Sequence, residues 1–135
     1  MKFSHAVIAI ALLLVPNMAI AQETNAGLSK KFLLGTWVAM STNRQHERVR
    51  TTVTFDEDHF TEERVNIGYA HEIQRIVESD SAGTWSIGTA GTSLSILFTK
   101  NRAQPMLVGT SQEWQINVID PGRIRIGRGI FQRQR

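Results

Sequence analysis

Cysteine is absent from this 135-residue sequence, and proline occurs only three times. Without cysteine the protein folds with no disulfide bond, and thiolate catalysis and cysteine-based metal sites are excluded. Aromatic residues are also scarce, with three tryptophans and one tyrosine. Two of those tryptophans, Trp37 and Trp85, nevertheless follow the same Gly-Thr pair. A repeated local sequence around such rare residues indicates that they occupy special positions in the fold.

Long hydrophobic runs are missing except for residues 6–15, which contain ten consecutive apolar residues. Lys2 precedes this run, and the small-x-small sequence at residues 19–21 follows it, as in a signal peptide. The run is too short to span a bilayer as a helix, and a retained anchor is disfavoured because no basic cluster follows. We therefore expect a signal peptide at 1–21 cleaved after Ala21, and a periplasmic or secreted domain at 22–135 with no transmembrane segment.

Acidic residues are missing from residues 121–135, which contain five arginines: Arg123, Arg125, Arg128, Arg133 and Arg135. One interpretation is contact with an anionic partner such as lipid headgroups or an acidic protein, with Arg123 and Arg128 as candidate residues. The other is the outward face of a strand followed by a solvated tail. Nucleic acid is not expected as a partner of an exported protein.

Strand patterns dominate the chain after residue 35. The alternating or β-branched segments are residues 50–55, 60–67, 84–88, 93–98, 114–119 and 123–131. Short turn sequences between them, such as Asp120-Pro121-Gly122, predict three antiparallel hairpins. Seven or eight such strands indicate an all-β sandwich or barrel, and closure into a barrel would leave no unpaired edge.

Three shorter segments complete this prediction. Residues 71–79 have helical spacing of apolar residues but are rich in β-branched side chains, so we predict a strand there. Residues 107–111 are a candidate short strand. Residues 28–34 are predicted to form a helical turn with Ser29 as its N-cap.

The order of four motifs resembles that of the small bacterial lipocalin-like domains of the calycin superfamily. The motifs are LLGTW, TTVTFDEDHFT, GTWSI and SLSI, and the resemblance covers residues 33–128. It implies a small antiparallel up-and-down β-barrel of about eight strands that binds a small apolar ligand non-covalently. It also implies that Trp37 fills the barrel base and that Gly35 allows a close backbone approach there. A basic residue of the last strand is expected to lie against Trp37, and Arg125 is favoured over Arg128.

Alternation along the strands predicts which side chains point into such a barrel. They are Trp37, Val53, Phe55, Trp85, Ile87, Leu94, Ile96, Phe98, Trp114, Ile116 and Val118. This set could fill the interior completely or line a ligand cavity. If a cavity exists, Trp85, Phe98 and Trp114 are the expected ligand contacts, with Tyr69 and Met106 in loops near an opening.

The sequence contains no recognisable catalytic or metal-binding motif. Its hydrolase and phosphate-binding signatures are missing, and the three histidines after residue 21 lack the close spacing of metal ligands. Glu62 and Glu63 are adjacent, so a strand would place them on opposite faces rather than as a catalytic pair. We expect no catalytic residue, no metal and no cofactor. The favoured function is binding of a small apolar ligand. The alternative is a periplasmic protein-interaction module with a filled barrel, such as an inhibitor or an envelope accessory protein. An enzyme is a weaker third possibility.

Overall fold

Eight antiparallel strands account for most of the chain that the computed structural model describes, residues 28–72 and 74–135. One short helix, α1 (Lys30–Leu33), precedes them. The strands are β1 (Gly35–Thr42), β2 (Arg48–Phe55), β3 (His59–Gly68), β4 (Ile76–Ile87), β5 (Ser93–Asn101), β6 (Ser111–Asp120), β7 (Arg123–Ile126) and β8 (Gly129–Arg133). The predicted signal peptide lies outside the described residues.

The strands form a closed barrel in which each strand pairs with its neighbours in sequence. The barrel closes where β8 pairs with β1, with Trp37 opposite Arg133 and Val38 opposite Gln132. Closure satisfies the backbone groups that an open sheet would leave at its two edges. The predicted all-β up-and-down barrel of eight strands is confirmed.

The two ends of the barrel differ in how they are covered. The end that we call the base carries α1, the β2–β3, β4–β5 and β6–β7 turns, and the C-terminus. Ser29 caps α1, since its Oγ accepts a hydrogen bond from the Phe32 backbone N–H at 3.1 Å. Leu28 and Leu33 are buried in the core and close the base. The opposite end, called the mouth, carries the loops at residues 43–47, 69–72, 74–75, 102–110 and 127–128.

The predicted hairpins are present. Of the strand predicted at residues 71–79, residues 76–79 belong to β4, whereas residues 71, 72, 74 and 75 lie in the preceding loop. Two further predictions were wrong. Residues 123–131 form two strands rather than one, because Gly127 has φ +58° and turns the chain between β7 and β8. Pro105–Leu107 is a 3-10 turn, and the next strand begins only at Ser111.

The barrel core matches the predicted alternation. All eleven predicted inward side chains are either buried in the core cluster or packed against it. Trp37, Leu94 and Ile96 are completely inaccessible to solvent. Along β2, Val53 and Phe55 are buried while Thr52 and Thr54 lie on the outer face. The described residues contain no helix with the length and apolar character needed to cross a membrane.

Candidate functional site

The first Gly-Thr-Trp sequence builds the barrel base. Gly35 has φ +120°, a conformation that residues with a Cβ rarely adopt, so the chain can turn there from α1 into β1. A Cβ at Gly35 would meet its nearest atom only at 3.7 Å, so the expected close backbone approach is not the reason for this glycine. The Trp37 indole is fully buried, and its Nε1 donates a hydrogen bond to the Leu33 carbonyl at 2.9 Å.

Arg133, not Arg125, is the basic residue that lies on Trp37. Its guanidinium carbon is 4.2 Å from the centroid of the Trp37 ring, and its two terminal nitrogens donate to the carbonyls of Phe32 at 2.6 Å and Leu34 at 3.1 Å. Arg125 is exposed on the outer face of β7. The assignment to Arg125 was wrong because residues 123–131 were treated as one final strand, whereas the last strand is β8.

The second Gly-Thr-Trp sequence serves a different physical need. A Cβ at Gly83 would lie 1.8 Å from the Leu97 carbonyl oxygen, so this glycine permits close strand contact. Trp85 donates a hydrogen bond from Nε1 to the Asp56 carbonyl at 2.8 Å and packs edge-on against Phe55, with ring centroids 5.1 Å apart. Both tryptophans are thus packing residues near the base, but their glycines are required for different reasons.

The mouth of the barrel contains a cavity of about 380 Å³ that we call the apolar lobe. Its walls are mainly apolar side chains from strands on opposite sides of the barrel. The lining residues are Val53, Glu62, Glu113, Trp114, Gln115, Ile126, Gly127 and Phe131. This volume lies within the usual range for small-molecule sites.

A second cavity of about 320 Å³, the polar lobe, lies on the other side of Trp114. Glu62, Ser81, Gln112 and Asn101 contribute polar groups to its lining, together with residues of the 102–110 loop. Glu62 and Trp114 line both lobes. The two lobes therefore share one boundary at the mouth.

Three aromatic rings meet at this end of the core. Phe60 packs edge-on against Phe98 and Trp114, with centroid distances of 5.9 and 5.4 Å, and Phe98 lies 6.4 Å from Trp114. Phe60 is almost completely buried. Such mutually packed rings restrict one another's orientation and hold Trp114 in place.

Glu62 is a half-buried acid at the inner surface of the barrel. It pairs in register with Val53 on β2 and with Ser81 on β4, both of which are buried. Burial raises the pKa of the Glu62 carboxyl, while the positive charge of Arg64 and the hydroxyl of Ser81 lower it to a smaller extent. The carboxylate form is consequently less favourable at this position than in water.

The charged groups around the polar lobe are already engaged with one another. Arg64 pairs with Glu78 at 3.3 Å, and Lys100 pairs with one carboxylate oxygen of Asp80 at 2.9 Å. The other Asp80 oxygen is buried and has no hydrogen-bond partner among the described residues. Glu113 adds a second acid, on the edge of the apolar lobe.

The structure separates the four predicted ligand contacts. Phe98 and Trp114 lie at the mouth, where Phe98 lines the polar lobe and Trp114 lines both lobes. Trp85 is near the base. Tyr69 is in a loop at the mouth end, 38% exposed and stacked on His71 with ring centroids 6.0 Å apart, outside both lobes. Met106 is 76% exposed on the 3-10 turn.

Four lining residues were not expected from the sequence: Glu62, Ser81, Ile126 and Phe131. Alternation from the buried Phe60 would have placed Glu62 inside the barrel. Ile126 and Phe131 line the apolar lobe because the chain turns at Gly127, a turn that was not predicted from the sequence.

The two arginines proposed to contact an anionic partner lie at opposite ends of the barrel. Arg123 is at the base, where its Nε donates to Asp120 at 2.8 Å, and Arg128 is in the β7–β8 turn at the mouth. They do not form one patch. Within the described ranges, no group of three or more His, Asp or Glu side chains is arranged to hold a metal ion.

No protein-family model and no curated protein matches the chain. Among solved structures, a redesigned β-barrel is similar at 15% sequence identity and a TM-score of 0.40, over 80% of this chain and 96% of the other. The function is therefore inferred from the geometry of the mouth.

Proposed function

We propose that this protein is an exported lipocalin-like barrel that binds a small, largely apolar molecule at its mouth. The observation that carries this proposal is the pair of cavities on either side of Trp114. Each has the volume of a small-ligand site, and the apolar lobe supplies the hydrophobic walls that such sites generally use. Export is supported by the signal-like residues 1–21 of the sequence.

The division of the barrel into two ends also supports ligand binding. At the base, α1, Trp37 and Arg133 form a hydrogen-bonded and tightly packed closure. Because the base stabilises the barrel, the mouth can contain cavities and a half-buried acid whose burial is unfavourable. A rigid scaffold with its binding groups at one end is the usual arrangement of small ligand-binding barrels.

A protein-interaction module is the weaker alternative. It would require a filled interior and an exposed apolar patch beside the arginines. Ile130 lies opposite Arg125 in the β7–β8 pair, and its large apolar side chain is 46% exposed. One exposed isoleucine is much smaller than a typical docking patch.

Binding of a neutral fluorescent dye, N-phenyl-1-naphthylamine, tests the proposal. We expect the purified protein to enhance dye fluorescence in a saturable way. Ile126→Trp should lose this enhancement, because the larger tryptophan side chain would fill the apolar lobe. The matched control is Ile130→Trp, on the outer face of the neighbouring strand, which should bind dye like the wild type. Circular dichroism confirms that both variants fold. Absence of saturable binding by the wild type, or equal binding by both variants, would contradict the proposal.

A further inference from the structure

The polar lobe contains a buried hydroxyl that the folded chain leaves without a hydrogen bond. Ser81 is only 6% exposed; its hydroxyl lies close enough to Glu62 to lower the pKa of that carboxyl, yet it makes no hydrogen bond of good geometry among the described residues. Ser81 lines the lobe directly across the strand pair from Glu62. Buried polar atoms in folded proteins nearly always have a partner, so this hydroxyl oxygen can accept a hydrogen bond from a molecule in the lobe.

The charge balance around Glu62 is also incomplete. Among the described residues, the nearby cation Arg64 pairs with Glu78 rather than with Glu62, and Lys100 pairs with Asp80. The Glu62 carboxyl is thus a half-buried acid without an ion-pair partner among the described residues, at the point where the two lobes meet. Burial of such a group becomes favourable when a hydrogen-bonded cation accompanies it.

We propose that the ligand is a small amine whose ammonium group binds in the polar lobe while its apolar body occupies the apolar lobe. The ammonium donates hydrogen bonds to the Glu62 carboxylate and the Ser81 hydroxyl oxygen, which act as acceptors. Trp114 lies at the shared boundary and offers a ring for cation–π contact. This inference rests on the proposed function, since it names the chemical class of the ligand for the same cavity.

The two other charge types fit this geometry less well. A carboxylate ligand would place a second negative charge beside Glu62 and near the unpartnered oxygen of Asp80. A metal ion would need three or more converging ligands, and the described residues provide no such group. An organic cation needs only one carboxylate and a few acceptors.

Isothermal titration of three probes with the same apolar chain tests the inference: octylamine, octan-1-ol and octanoate, at pH 7. We expect octylamine to bind at least about tenfold more tightly than octan-1-ol, and octanoate to bind most weakly. Glu62→Gln should reduce octylamine affinity about tenfold and leave octan-1-ol affinity unchanged. Ser81→Ala should reduce octylamine affinity by a smaller factor.

Glu63→Gln is the matched control, because Glu63 is the adjacent acid but pairs with Arg75 at 3.0 Å on the outer surface. It should leave all three affinities unchanged. Equal binding of octylamine and octan-1-ol would overturn the amine inference while retaining the proposed cavity function. A preference for octanoate, or equal effects of Glu62→Gln and Glu63→Gln, would also overturn it. If none of the three probes binds, the proposed function fails together with the inference.

Discussion

Replacement of Arg133 by alanine should destabilise the whole barrel, although this residue is the third from the C-terminus. Its guanidinium lies 4.2 Å from the Trp37 ring centroid and 5.1 Å from that of Phe32. It also donates hydrogen bonds to the Phe32 and Leu34 carbonyls, which connects β8 to the chain around α1. One side chain therefore joins the two ends of the described chain at the base.

The expected cost follows from these contacts. A cation–π contact at a partly buried site contributes about 1 kcal/mol. Hydrogen bonds from a charged donor contribute about 1.5–3 kcal/mol each, and the smaller value applies because Arg133 retains partial solvent exposure. Allowing for some replacement by water, we expect Arg133→Ala to lower the free energy of unfolding by about 2–4 kcal/mol.

Urea unfolding followed by circular dichroism provides the measurement. Arg125→Ala is the matched control, since Arg125 is on an adjacent strand but exposed, and it should change stability by less than about 0.5 kcal/mol. Arg133→Lys should be intermediate, because lysine keeps the charge but loses the planar fork of donors. A stability of Arg133→Ala equal to that of the wild type, or an equal loss in Arg125→Ala, would refute the reasoning.

Three further predictions concern stability. Gly83→Ala should cost about 3 kcal/mol or more in urea unfolding, because its Cβ would meet the Leu97 oxygen at 1.8 Å, whereas Gly122→Ala, with 3.7 Å of space, should cost less than about 1 kcal/mol. Trp37→Ala should cost about 3–5 kcal/mol in the same assay through loss of a fully buried indole, and an unchanged midpoint would exclude its role at the base. Glu62→Gln should flatten the dependence of stability on pH. Because folding raises the pKa of the Glu62 carboxyl, the stability of the wild type falls as the pH rises from the ordinary pKa of 4.5 through the pKa in the folded protein. The glutamine amide does not ionise, so the variant lacks this change. An identical pH dependence in both proteins would contradict this.

Strand identity and the inward face could be predicted from the sequence because both depend on local alternation. Val53 and Phe55 are buried and Thr52 and Thr54 are not, as a period of two requires. The break at Gly127 was missed, although Arg128 interrupts the apolar face that Ile124 and Ile126 begin and a glycine stands on either side of it.

The site was less predictable, because it depends on contacts between distant strands. Arg133 reaches Trp37 only through barrel closure, which joins residues almost a hundred positions apart. The opposite faces of Glu62 and Glu63 were predicted correctly, since these follow from adjacency on a strand. Glu62 has no ion-pair partner among the described residues, and Arg64 and Lys100 pair with Glu78 and Asp80 instead. Adjacency in the sequence does not reveal these pairs.

Native mass spectrometry of the protein recovered gently from its own cell envelope tests the central claim most directly. We predict a chain of residues 22–135 carrying one added mass of roughly a few hundred daltons, as expected for a ligand that fills these cavities. The same preparation of Ile126→Trp, with its apolar lobe filled, should lack that mass. A wild-type protein without added mass, or an identical added mass in Ile126→Trp, would contradict binding of a small molecule at the barrel mouth.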